Sequence, residues 1–314
     1  MKGSPCPIFV INLDRSASRL GHVERQIHSA GLEFERIPGI DGRELPDAEI
    51  ARLCPDNSSC FYAPLRPGEV GCYLSHLRAL QVAEARGLDR FVVFEDDFEL
   101  EPGFADCLRD LCVQGVKLPD AVKLHGRRGR GEVVATLPSG RHVVRSSSPP
   151  ICTVATLWTI AGARKLVSAS QTLRRPIDVE LKHWWETNLD VVWVAPPPVR
   201  DSSVLMSAST IGSRKVRGAG ARLRQLDYRL RYAARREAHF ARRHGVEIEQ
   251  DARFALRGHL NRRRGETSGA HVLNADDRVG RHQLEASFDE QLFKERIADL
   301  NCRAQAILSF DEFG

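Results

Sequence analysis

Hydrophobic positions along the chain follow two rhythms. The short, unbroken apolar run at 91–94 reads as a strand buried on both faces, and the mainly apolar stretches at 7–13, 121–124 and 191–194 read as further strands. Residues 34–37 and 153–160 are strand-like as well. Apolar residues three and four apart mark helices over 17–30 (Leu20, Val23, Ile27), 68–86 (Val70, Leu74, Leu77, Leu80) and 104–113. Shorter helices are expected at 47–53, 161–169 and 176–185. Ser16 stands where it can cap the first helix, and Gly31 and Gly87 stand where helices end. Residues 132–137 and 141–145 flank Pro138-Ser139-Gly140, a hairpin signal. Gly71, inside a helical pattern, points to close packing or to approach of another backbone there. Residues 199–212 read as polar loop.

The β-α-β alternation predicts an α/β fold of Rossmann type, a mostly parallel sheet flanked by helices. Ligands of such sheets sit at the carboxyl ends of the strands. There the run Phe91-Val92-Val93-Phe94 leads straight into Glu95-Asp96-Asp97. Three adjacent acids repel one another, so they need a cation, a basic partner or full solvation. Arg15 and Arg19 follow the first strand at the same edge. They suit forked hydrogen bonds to phosphate, or equally a solvated helix face. Asp178 near a helix start reads either as a first-turn acid or as a functional one. His76 alone reads more readily as a core histidine. The loop at 125–131 is rich in glycine and arginine, and suits either closure over an anion or exposure to solvent.

Composition narrows the classes. The chain has 314 residues, 42% hydrophobic and 28% charged, which are globular values. It holds no run of eighteen apolar residues, and its first residues lack the character of a signal peptide, so a cytoplasmic protein is expected. Eight cysteines without a Cys-x-x-Cys spacing read as reduced thiols, with Cys54 and Cys60 the pair best placed to join or bind metal. The net charge of +5 is uneven. Residues 213–264 carry sixteen Lys or Arg against five Asp or Glu, so the remainder is net acidic. Residues 1–212 are expected to form the catalytic domain and 213–314 a basic, mainly helical region. In the latter, 221–244 is an arginine-rich helix with a stripe of Leu223, Leu226, Leu230 and Ala234, 258–280 reads as linker and 288–308 as amphipathic. The arginine-rich helix lacks any nucleic-acid reader motif, which disfavours a nucleic-acid partner.

The quoted segments together resemble glycosyltransferase family 25, the bacterial lipopolysaccharide and lipooligosaccharide galactosyltransferases, with collagen galactosyltransferases as more distant relatives. The matching pieces run in order: Val10-Ile11-Asn12-Leu13-Asp14-Arg15 with Arg19, then Asp41-Gly42-Arg43, then 68–76 and Phe94-Glu95-Asp96-Asp97. Gly162-Ala163-Arg164-Lys165-Leu166, Arg175-Pro176-Ile177-Asp178 and Ser209-Thr210-Ile211-Gly212 follow. The resemblance implies a GT-A-like fold, a UDP-sugar donor (UDP-galactose above all) and inversion at the anomeric carbon. It implies Mn2+ or Mg2+ on Asp97 and Glu95, with Glu95 and Asp96 at the donor. Asn12, Arg15 and Arg19 would bind the nucleotide end. Asp178 would be the base that deprotonates the acceptor, with Glu180 as its alternative. The acceptor would be a lipopolysaccharide or other surface glycan at the inner face of the cell membrane. The basic region would meet anionic lipid there. A protein or peptide hydroxyl is the alternative acceptor. Trp158 and Ala161 depart from the tyrosine and serine common in the family, which implies an altered sugar or acceptor pocket.

Overall fold

The computed structural model describes residues 4–55, 60–113, 115–126, 131–202 and 218–244. The expected boundary at 212, the segment 258–280 and the pattern at 288–308 lie outside these residues, as do 127–130 of the glycine-arginine loop. The chain divides into two units, Met1–Tyr232 and Ala233–Gly314.

The first unit is an α/β fold on one eight-stranded sheet. Its strands are β1 (Ile8–Asn12), β2 (Glu35–Pro38), β3 (Arg90–Phe94), β5 (Ala121–Lys123), β6 (Glu132–Thr136), β7 (His142–Arg145), β8 (Ala155–Thr159) and β9 (Val191–Ala195). They lie in the order β2-β1-β3-β8-β5-β9-β7-β6. The β2-β1, β1-β3 and β5-β9 pairings are parallel, and those made by β8, β7 and β6 are antiparallel. The sheet is therefore mixed, within the α/β class expected of a Rossmann-like GT-A fold.

Strands β1 and β3 are buried on both sides because helices cover both faces. Alternate residues Ile8, Val10, Val92 and Phe94 join Val23 and Ile27 of α1 (Ala17–Ser29) and Phe104, Leu108 and Leu111 of α4 (Phe104–Leu111) in one core. The intervening Phe9, Phe91 and Val93 point the other way. There α3 (Pro67–Ala85) packs on β1, β2 and β3, and α5 (Ile160–Ala169) packs on α3. A short α2 (Asp47–Leu53) precedes α3 in the chain.

Helix α3 starts where its sequence permits. Pro67 takes the first turn, where a missing N–H costs nothing, and Glu69 Oε2 accepts the Arg66 N–H at 2.8 Å. The backbone approach expected at Gly71 is real. A Cβ there would stand 2.4 Å from both Gly42 N and Ile40 O, and one at Gly42 would stand 1.6 Å from Pro67 O. The 39–43 loop thus rests main chain to main chain on the start of α3. Ser75 Oγ fastens it by accepting the Ile40 N–H at 2.7 Å.

Three local expectations are revised. Ser16 makes no side-chain cap; its carbonyl instead accepts from Asn12. The helix expected at 176–185 is one α-turn, α6 (Ile177–Glu180), and one 3-10 turn (Leu181–His183), after which Trp184 and Trp185 pack edge to face. The supposed loop at 199–212 opens with β10 (Val199–Asp201), which pairs antiparallel with β4 (Phe98–Leu100). Neither strand is long enough to show a period.

Helix α7 (Ala219–His244) is the arginine-rich helix. Within the first unit, its Tyr228 and Tyr232 sit on a cluster of Phe61, Tyr62, His183 and Trp185. In the second unit the described residues 233–244 are its C-terminal turns.

Candidate active site

The carboxyl ends of β1, β3 and β5 meet the start of β8 at one sheet edge, because β8 runs antiparallel to its neighbours. This edge gathers Asn12, Glu95-Asp96-Asp97, Lys123 and Thr153. The three acids face different fates, because the chain bends at Asp96 and Asp97 and each side chain meets different partners.

Asp96 turns into the fold. It is 7% exposed, its Oδ2 accepts from Asn12 Nδ2 at 2.7 Å, and its Oδ1 accepts from Arg19 at 2.8 Å. Asn12 spends its other capacity on Ser16 O and Arg36. The Asn12 and Arg19 expected at the nucleotide are therefore engaged with Asp96.

Glu95 lies at the cleft. Its Oε1 accepts from Thr153 Oγ1 at 2.5 Å and lies 3.2 Å from His76 Nε2. Burial pushes its carboxyl up, but the His76 and Thr153 hydrogen bonds and the His76 charge outweigh it, leaving a net lowered pKa.

Asp97 is the least satisfied of the three. Its Oδ1 is buried without a hydrogen-bond partner, and Oδ2 lies 4.0 Å from Arg19. Burial, then the charges of Glu95 and Asp96, push its carboxyl up to about 7. Asp201 on β10 adds to that field, delivered beside Asp97 when Ser202 N–H donates to Asp97 O at 2.8 Å. A carboxylate crowded by like charges, with an orphaned oxygen, fits the hard-cation ligand expected at this position.

Arg15 donates to Asp41 at 2.8 Å, as does Arg43, and their hydrogen bonds and charge, Arg43 first, hold the Asp41 carboxyl at about 2. These residues, the start of α3, Cys72, His76, Glu95 and Asp96 line a cleft of about 210 Å³.

Asp178 stands at the start of α6, where its Oδ1 accepts the Val179 N–H. Burial raises its pKa, with Glu95 and Glu69 adding to the rise and Lys123 opposing it. The same residue is thus a first-turn acid and a neighbour in charge to the acids of β3. Glu180 is placed differently. It is 2% exposed and bound to Arg174 at 3.0 Å and Arg175 at 3.4 Å, in a buried network with Glu186 and His183.

Residues 6–124 match the model of glycosyltransferase family 25 (LPS biosynthesis protein). Over these residues the chain is similar to glycosyltransferase family 25. The bovine (Bos taurus) "Probable inactive glycosyltransferase 25 family member 3" is 33% identical over 181 residues, 55% of this chain and 30% of that protein. The Xenopus laevis "Procollagen galactosyltransferase 1-A" is 28% identical over 181 residues, 54% of this chain and 30% of its own length. A Drosophila melanogaster "Glycosyltransferase 25 family member" is 25% identical over 224 residues, 65% of this chain and 34% of its own. The chain spans about a third of the length of these curated relatives. The matched segment holds Asn12, Arg15, Arg19 and all three acids that follow β3, whereas Asp178 and Glu180 lie beyond it.

Sequence reading passed over Lys123, Cys72, Thr153 and Asp201. Lys123 had a signal: a lysine inside a buried strand is rare without a purpose. It is 1% exposed, donates to Pro150 O at 2.5 Å, and burial lowers its pKa to about 8. Trp158, one of the two departures from the family pattern, is buried mid-sheet opposite Phe91 and Ala121.

Proposed function

We propose that this chain is an inverting glycosyltransferase that moves a sugar, galactose foremost, from a UDP-sugar to a hydroxyl of a lipopolysaccharide or related surface glycan. The observation that carries the reading is the division of labour at the end of β3. Asp96 is consumed by structure, while Glu95 and the orphaned Asp97 oxygen are left for a ligand.

Asp97 and Glu95 would hold Mn2+ or Mg2+, which when bound supplies Lewis-acid stabilisation of the diphosphate. The chain's own residues do the rest. Arg15 and Arg43 fix the rim of the cleft at the nucleotide end through Asp41. Asp178 takes the proton of the acceptor hydroxyl as its oxygen bonds to the anomeric carbon. The bond from that carbon to the phosphate oxygen breaks on the opposite face, its electron pair leaves with UDP, and the configuration inverts. Burial of Asp178 suits it to this role, because a raised pKa makes a carboxylate a stronger base. Glu180, ion-paired with two arginines, is given a structural role here.

The deciding experiment is a panel of UDP-sugars with Mn2+, followed by transfer or hydrolysis. Turnover is expected with at least one sugar. Asp97→Ala should abolish it, and Asp178→Asn should lower kcat by about 10²–10⁴ with donor binding retained. A panel showing neither binding nor turnover would end the transferase reading. A protein or peptide hydroxyl is the second acceptor class, favoured by the name of the Xenopus relative. Peptide and glycan acceptors assayed side by side separate the two.

We further assign α7 to an anionic membrane surface, at the cytoplasmic face. Leu223, Leu226 and Leu230 are 67%, 43% and 62% exposed, on the side of the helix opposite Tyr228 and Tyr232. Arginine rows 222-229-236 and 224-231-235 flank that stripe, the arrangement of a helix lying in a lipid interface.

A further inference from the structure

We propose that Cys72, His76 and Glu95 form a second cation site, overlapping the hard-cation position at Asp97 through Glu95 and selective for a thiophilic divalent ion of the zinc class. Cys72 and His76 are one turn apart on α3 and so share a face. The end of β3 presents Glu95 to that face. One donor atom from each of the three lies within 4.8 Å of the others. A tetrahedral zinc ion with bonds of 2.0–2.3 Å spaces its ligands by about 3.5 Å, so small side-chain adjustments close the site.

The surroundings are those of a built site. His76 is 3% exposed, and Glu95 is braced by Thr153, the kind of supporting contact that orients a ligand. All three residues line the cleft, which leaves a fourth position open toward it. Glu95, Asp178, Asp97 and Glu69 surround the Cys72 thiol with negative charge. Burial above all, with that field behind it, holds the proton on sulfur, and the same field attracts a divalent ion able to replace it. Thiolate and imidazole select zinc or cobalt, whereas Asp97 and its neighbours offer only oxygen, which suits manganese and magnesium.

Sharing Glu95 has a consequence that rests on the transferase reading. An ion on Cys72 and His76 takes Glu95 from the donor, so zinc inhibits where manganese activates.

Cobalt(II) added to the reduced, full-length protein reads the site without any sugar. Wild type should develop a thiolate-to-cobalt charge-transfer band in the near ultraviolet that zinc abolishes. Cys72→Ser should lose the band, His76→Gln should weaken zinc binding at least about tenfold, and Cys54→Ser should keep both. Thermal melts confirm folding, and His76→Gln carries the test if Cys72→Ser does not fold. A wild type without the band, or a band surviving in Cys72→Ser, overturns the site while leaving the transferase reading untouched. Absence of turnover on the sugar panel does the reverse. Where turnover is present, zinc should inhibit wild type and spare Cys72→Ser.

Discussion

Asn12 Nδ2 and Asp96 Oδ2 are 2.7 Å apart, joining the end of β1 to the acids that follow β3. With Arg19 on its other oxygen, Asp96 behaves as a buried ion pair. Removing one partner leaves a charge uncompensated. Asp96→Ala should therefore cost on the order of 3 kcal/mol in urea unfolding. A stability unchanged from wild type would show that Asp96 serves the ligand and not the fold.

His183 gives the fold a pH dependence. It accepts from Tyr228 OH at 2.9 Å through Nε2 and donates to Glu186 at 3.1 Å through Nδ1, the tautomer that suits an acceptor-only carboxylate. Burial lowers its pKa to about 4 from 6.5. Burial pushes Glu186 up, yet the His183 hydrogen bond and the Arg175 charge prevail and hold it at about 2. Both folded values are depressed, so the unfolded chain binds more protons and stability is lost as the pH drops. The histidine part goes between pH 6.5 and 4, on the order of 3 kcal/mol, and the glutamate part between about 4.5 and 2. Denaturant melts across this range should show the slope, and His183→Gln should flatten its upper half.

Gly71→Ala tests the contact between the 39–43 loop and α3. Alanine gains about 1 kcal/mol in helix propensity. Its Cβ, however, meets backbone atoms at 2.4 Å, which cannot swing aside as a side chain would. Overpacking of about 1–3 kcal/mol or more should win. A lowered melting temperature together with weaker UDP binding is the expected pair of results, and a rise in melting temperature would refute the contact.

Leu226→Glu combined with Leu230→Glu tests the lipid assignment of α7. Binding to vesicles rich in anionic lipid should fall at least about tenfold, with UDP-sugar hydrolysis retained. Undiminished vesicle binding would sink the role given to this helix.

The sequence was most readable where apolar runs were long. The strands at 8–12 and 90–94 and the helices at 17–29 and 160–169 came within a residue or two, since buried faces impose their period on the chain. The three-residue β4 and β10 carry no period, and they bring Asp201 to the site. The acids of β3 were legible as a site, but their division was not. Asp96 points inward only because Asn12, 84 positions earlier, meets it. Lys123 ends β5 and Thr153 stands just before β8, and only the antiparallel insertion of β8 brings them to the same edge. Tyr228 gave no sign of its partner, because the aromatic surface it meets is assembled from 61–62 and 183–185.

The bare main-chain contact between Gly42 and the first turn of α3 has a further meaning for recognition. Two stretches of backbone seated on each other, with no side chain between them, have no rotamers to lose. The rim that carries Asp41 and Arg43 is therefore shaped when the chain folds and not when a ligand arrives. Binding there spends little on ordering the backbone. Selectivity at that end of the cleft becomes a matter of fit to a fixed mould, and discrimination by induced closure has to come from elsewhere in the molecule.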